Sequence, residues 1–166
     1  MSIRSLTYMV AALFLATACA ETMQDSGAGQ GSGGKESAKP SALSSIKPGS
    51  GRDFVVNVGN SVFFDFDKAV VRADGEETLR RQAEFLKQNP GITMTIAGHC
   101  DERGTREYNL ALGERRANAA RNYLISLGVS PDRLSTISYG KERPIVLGHN
   151  EAAWAQNRVG VATIRN

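Results

Sequence analysis

Residues 92–128 read ITMTIAGHCDERGTREYNLALGERRANAARNYLISLG. Ile92, Met94 and Ile96 alternate with Thr93, Thr95 and Ala97, the period of a strand with one buried face. From Tyr108 to Leu127 the period changes: Gly113, Ala117, Ala120, Leu124 and Leu127 recur at spacings of 4, 3, 4 and 3, the stripe of a helix. Gly128 stands where a helix-ending glycine belongs. The small residues in that stripe predict a long helix lying close on a sheet. Between strand and helix, the loop Gly98–Asn109 gathers His99, Asp101, Glu102, Arg103, Arg106 and Glu107 around Gly104. A loop leaving the C-terminal end of a strand is where α/β folds place ligands, and this one holds more charge than a solvated turn needs. Arg115 and Arg116 follow about a turn and a half beyond Asn109, near enough to face back toward the loop.

The flanks extend the alternation. Ser61–Phe66 (SVFFDF) reads as a strand with Val62, Phe64 and Phe66 on one face, running into Asp67. Asp74, with Glu77 three residues on, resembles a capping box. Leu79, Ala83 and Leu86 then carry a helix that Asn89-Pro90-Gly91 stops. Ser130-Pro131-Asp132 opens a turn, Leu134–Tyr139 is a third strand, and Gly140 breaks it. Asn150 caps a brief helix through Trp154, and Val159–Ile164 is a last strand. The order β-α-β-α-β-(α)-β predicts an α/β (α+β) two-layer sandwich with helices packed on one mixed sheet. Trp154 and the phenylalanines read most simply as core.

The chain has 166 residues, enough for one ordinary domain with extensions. Its hydrophobic content of 41% and charged content of 22% are those of a globular protein. The net charge is only +3, and residues 52–166 carry 16 basic against 14 acidic side chains. No dense basic stripe argues for nucleic acid. The front end differs from the rest. Arg4 precedes a short apolar run, Leu6 to Ala16, too short to cross a membrane and ending in small residues as a signal peptide does. Leu15-Ala16-Thr17-Ala18-Cys19 resembles the bacterial lipobox, which implies residues 1–18 as a lipoprotein signal peptide and a covalent lipid on Cys19. Ala20, where inner-membrane retention uses aspartate, implies the outer membrane. Residues 19–51, rich in Gly and Ser and holding Pro40 and Pro48, read as a flexible tether, with a span on the order of 30 Å.

Gly98-His99-x-Asp101-Glu102-Arg103-Gly104-Thr105-x-Glu107-Tyr108-Asn109, followed by Leu112-Gly113-Glu114-Arg115-Arg116-Ala117, resembles the motif of OmpA-like peptidoglycan-binding domains. Tyr139-Gly140-Lys141-Glu142-x-Pro144, Gly148-His149-x-Glu151-Ala152-Ala153 and Asn157-Arg158 continue it. The resemblance implies a binding domain over residues 52–166 that holds the diaminopimelate of a stem peptide. It assigns that role to Asp101 and Arg116, fifteen positions apart, and to Asp67, with Phe66, Thr105, Asn109 and Leu112 in support. The chemistry is sensible in itself: a zwitterion offers an ammonium to a carboxylate and a carboxylate to a guanidinium. With the lipid, the resemblance implies a non-enzymatic tether of the outer membrane to the cell wall, domain facing the periplasm. It further implies TolB and the Tol complex as partners, and a part in envelope integrity and constriction at division. The alternatives are an OmpA-like wall anchor of another envelope machine, or a periplasmic wall hydrolase.

Simpler readings stand beside these. Asp101 with Arg116 reads equally as a structural ion pair, and Asp67 as a turn cap. Glu102, Arg103 and Arg106 read as surface charge, Arg115 as solvent-facing, and Cys100 as a buried small side chain. His99-Cys100-Asp101 invites a metal or nucleophile, but zinc draws on several ligands and His149 is the only other histidine. Adjacent residues on a strand also face opposite ways. No metal, cofactor or catalytic set is expected.

Overall fold

The computed structural model describes residues 46–165; the expected signal peptide, Cys19 and most of the tether lie outside them. A turn closed by Ser50 N–H on Lys47 O at 3.1 Å leads into α1 (Gly51–Asp53), whose Ser50 cap accepts from the Asp53 N–H at 3.2 Å. A wider π-helical turn, Phe54–Val58, follows and buries Phe54 against Phe85 with ring centroids 5.2 Å apart. This turn has no periodic pattern to announce it.

β1 (Ser61–Phe63) is shorter than the run of aromatic residues suggests. Phe64 still bonds the carbonyl of Arg158 through its N–H and is buried, but the chain then turns. Lys68 N–H donates to Asp65 O, and Asp67 takes a left-handed φ of 56°. Phe66 is thereby thrown outward, 57% exposed.

α2 (Ala73–Gln88) starts one residue before the expected cap. Asp74 lies inside the first turn, where its carboxylate accepts from Gly75 N–H and complements the positive helix end. Leu79, Ala83 and Leu86 face the core as their spacing requires. β2 (Thr93–His99), α3 (Arg106–Ser126) and β3 (Leu134–Gly140) form a parallel crossover. α4 (Glu151–Asn157), capped by the Asn150 side chain at 3.0 Å, leads into β4 (Val159–Arg165). The strands lie in the order β1-β4-β2-β3, with β4 antiparallel to both β1 and β2. This is the mixed α/β sheet that the alternation predicts.

Met94, Ile96, Val62 and Ala162 meet Leu79, Leu86, Ala117, Ala120 and Leu124 in one core. Two glycines set the approach of α3: an added Cβ on Gly98 would run into the carbonyl of Gly113, and one on Gly113 into Ser138 and Gly98. Where β2 ends, the register against β3 slips, so that His99 pairs with Gly140 instead of Tyr139. The candidate loop leaves the sheet at that irregularity. Phe54, Phe64 and Phe85 are core, but Phe63 and Phe66 are exposed and Trp154 stands outside the core cluster. The reading of Trp154 and every phenylalanine as interior is corrected at Trp154, Phe63 and Phe66.

Candidate functional site

The loop from β2 to α3 is shaped by its own polar side chains. Asp101 Oδ1 accepts from the Arg103 N–H at 3.1 Å, an Asx-type turn. Gly104 passes through φ 93°, and the Thr105 hydroxyl caps α3 by accepting from Tyr108 N–H at 3.2 Å. Asn109, buried, donates its amide to the carbonyls of Arg103 (2.8 Å) and Thr105 (3.0 Å). Lys141 Nζ holds the outer side through Gly104 O at 2.6 Å.

A cavity of about 190 Å³ opens between this loop, the turn after β1 and the start of α3. Cys100, Asp101 and Arg116 line its inner part; Phe66, Asp67 and Tyr108 come from the rim, with Asn109 and Leu112 beside them. Of the residues assigned by resemblance, only Thr105 does not line it; its hydroxyl is committed to the helix cap. Tyr108 joins the rim by donating its hydroxyl to Asp67. That bond pushes the Tyr108 phenol up.

Asp101 and Arg116 share the cavity without pairing to each other. Asp101, 4% exposed, is held by Arg103, whose Nε reaches Oδ1 at 3.1 Å and whose Nη2 reaches Oδ2 at 2.7 Å, with Arg158 Nη1 at 3.4 Å. Arg116, 1% exposed, donates to three main-chain carbonyls instead: Lys68 at 2.9 Å, His99 at 2.9 Å and Asp65 at 3.0 Å. The expectation of a structural Asp101–Arg116 ion pair is corrected, because burial draws the arginine's fork to the carbonyls around it. Arg116 thereby ties the turn after β1 to the end of β2. Burial also lowers its pKa.

Arg103, read from sequence as surface charge, is the direct partner of Asp101. Its guanidinium lies 4.0 Å from the Phe66 ring centroid and 4.3 Å from that of Trp154. Glu102 keeps an exposed side but accepts from Trp154 Nε1 at 2.9 Å and pairs with His149 at 2.6 Å. Hydrogen bonds from Trp154 and His149 hold its carboxyl below the usual range. Arg106 and Arg115 are exposed, as expected. Cys100 is buried, donating to Asn109 O at 3.3 Å, and burial pushes its thiol up. His99 turns the other way: its Nδ1 donates to the Arg143 carbonyl at 2.9 Å, and burial lowers its pKa. Among the described residues, no group of three or more His, Cys, Asp or Glu is placed to hold a metal.

A sequence model of the OmpA family matches residues 63–158, which includes every element from the end of β1 to α4. The chain belongs to the OmpA family. The peptidoglycan-associated lipoprotein of Mesorhizobium japonicum is 55% identical over 117 residues, 70% of this chain and 70% of that protein. The protein of the same description from Brucella melitensis is 53% identical over 117 residues, with the same 70% of each covered. The crystal structure of the peptidoglycan-associated lipoprotein from Burkholderia pseudomallei superposes with a TM-score of 0.63 at 46% identity, covering 64% of this chain and 90% of that one.

The OmpA-family fold therefore brings together Asp67, Asp101 and Arg116, which lie on three separate elements. Sequence reasoning missed Arg103 and Arg158 as partners of Asp101, and Trp154 as an aromatic face against Arg103. One signal was present for Arg103: an arginine two residues after an aspartate, before a glycine, is placed to close an Asx turn.

The electrostatics of this OmpA-family site predict an acid response. Burial raises the Asp101 carboxyl, but the Arg103 side chain and backbone N–H, the Arg103 charge and Arg158 together outweigh it and hold the group below its ordinary value. A carboxyl lowered by folding stabilises fully above its unfolded pKa of about 3.9 and loses that contribution as pH falls through the folded value. The urea midpoint of the wild-type chain is expected to fall below about pH 4. That of Asp101→Asn should fall less over the same window; identical acid profiles would contradict this account.

Proposed function

We propose that this OmpA-family domain binds peptidoglycan non-covalently, by enclosing the free end of a diaminopimelate side chain in the cavity between Asp67, Asp101 and Arg116. One observation carries the reading: two carboxylates and a guanidinium from three elements line a single space of about 190 Å³. That space is smaller than the several hundred Å³ of a drug-sized pocket, about the scale of one amino-acid head group. The ligand's ammonium is attracted by the carboxylates. Its carboxylate is attracted by Arg116, which spends one N–H from each nitrogen on the carbonyls and keeps a second on each terminal nitrogen. The start of α3 adds its positive dipole end. Phe66 and Leu112 supply apolar contact for the methylene chain.

Charge-assisted hydrogen bonds contribute about 1.5–3 kcal/mol each, so one stem peptide is held reversibly. A continuous wall offers many stems, so that many such chains anchored in one membrane would hold it with avidity. The motif resemblance and the descriptions of the relatives support the wider role: a lipid on Cys19 in the outer membrane, a tether, and a domain that holds the wall from the periplasmic side. In that role the chain works with TolB and the Tol complex, supporting envelope integrity and constriction at division. The reading is of a tether, not an enzyme.

Incubation of the chain with purified sacculi tests it. The wild-type chain is expected to sediment with them and to release no muropeptides; release would instead mean a hydrolase. Asp101→Asn and Asp67→Asn should each weaken the affinity for sacculi at least tenfold, the loss of about one charge-assisted contact. Asparagine is chosen at 67 because it tolerates the left-handed φ of 56° found there. Sedimentation of both variants at the wild-type level would refute the site.

A further inference from the structure

Asp101 is already occupied. Its Oδ1 accepts two N–H groups of Arg103 and its Oδ2 accepts from Arg103 and Arg158, so no free lone pair awaits an ammonium. Any amine that reaches this carboxylate has to move the Arg103 guanidinium. Arg103 is built to be moved. Its side chain is 32% exposed, and besides Asp101 its only other acidic neighbour within 4 Å among the described residues is Glu151, at 3.7 Å. Phe66 and Trp154 lie 4.0 and 4.3 Å from it, keeping the cation near the cavity when its fork is released. Arg158, by contrast, is buried and tied to Glu151 at 2.8 Å and to Phe64 O at 3.3 Å.

Resting on the binding reading above, we infer that Arg103 is the residue that makes the site select a zwitterion over a simple amine. In the free protein it stands in for the ligand's ammonium at Asp101. A diaminopimelate end brings an ammonium and a carboxylate on one carbon. The ammonium takes Asp101, the displaced guanidinium joins Arg116 at the new carboxylate, and no charge is left unpaired. A lysine side chain brings only the ammonium. It must break the same fork and returns nothing to Arg103, so the exchange is uphill. Arg103 thus converts a site with affinity for amines into one that reads the neighbouring carboxylate.

The test is a calorimetric titration of the full chain with two synthetic stem peptides, one containing diaminopimelate and one containing lysine in its place. The wild-type chain should prefer the first. Arg103→Gln removes the fork and leaves Asp101 only the backbone N–H of residue 103 and Arg158. It should weaken the diaminopimelate peptide about tenfold while the lysine peptide binds as well as before or better, so the preference falls by about tenfold or more. Arg103→Lys keeps the charge without the planar fork and should give an intermediate preference, which covers the case of a poorly folded glutamine variant. An unchanged ratio in both variants, or equal weakening of both peptides, would overturn the inference while leaving the binding reading intact. A wild-type chain that binds neither peptide would bring down the binding reading itself.

Discussion

Arg116→Ala is expected to lose about 3–5 kcal/mol of stability, and with it the binding site. The side chain is among the largest fully buried ones in the domain, and each of its three nitrogens serves a main-chain carbonyl. Truncation leaves the carbonyls of Asp65, Lys68 and His99 without that donor, at a cost of about 1–3 kcal/mol for each that stays dry. Relief from the desolvated charge offsets part of this, since burial lowers the arginine's pKa. For a domain near this size the loss corresponds to a fall in Tm of roughly 10–25 °C. Lysine at this position cannot reach three acceptors from one point charge and should recover little. A urea midpoint for Arg116→Ala equal to wild type would show that the carbonyls find water and that the brace is not structural. Loss of wall binding in this variant alone says little about ligand contact, which is why the asparagine variants at 67 and 101 carry that test.

Gly98→Ala is expected to be as damaging, for a reason that has nothing to do with charge. The added Cβ would fall against the carbonyl oxygen, carbonyl carbon and Cα of Gly113, all backbone atoms of α3. No rotamer change relieves a clash between two main chains, so the helix must lift off the sheet. Overpacking a tight core usually costs about 1–3 kcal/mol, and this contact belongs at or beyond the upper end. Loss of cooperative unfolding, or a drop of about 3 kcal/mol or more by urea titration, is the expected result. Gly91→Ala, where nothing lies within 4 Å of the new atom, is the matched control and should stay within about 0.5 kcal/mol of wild type. A Gly98→Ala chain as stable as that control would refute the close approach.

Much of this was legible in the residues. The stripe Gly113, Ala117, Ala120 and Leu124 identifies both the helix and its closeness to the sheet, because small side chains at that period have little other use. Alternation over Ile92–Ala97 finds β2, and Asn150 finds α4. The turn at Phe54 stayed hidden because one buried aromatic in five residues sets no period. Asp74 misled for a related reason: an acidic residue suits the cap and the first turn alike, and only the backbone decides between them. At the site, the motif resemblance implied which side chains converge but not how they pair. Arg103, Arg116 and Arg158 all come near Asp101's end of the sheet, and burial distributes them. Arg116, the deepest, takes the carbonyls; Arg103, at the mouth, takes the carboxylate. A lone tryptophan in a helical stretch reads as interior, whereas here its N–H finds Glu102 and its face finds a cation.

The polarity of the strands bears on mechanics. β1 and β2 are each antiparallel to β4, so they point the same way, and the turns that follow them carry Asp67 and Asp101 at one pole of the sheet. The polypeptide from the amino-terminal side therefore joins β1 at the opposite pole. On the proposed reading, tension between a lipid ahead of the domain and a wall strand gripped at the far pole would load β1 along the strand axis, nearly at right angles to the interstrand hydrogen bonds. Bonds loaded in this direction share the pull and give way together, instead of opening one after another like a zip, so even a three-residue β1 resists extraction as a unit.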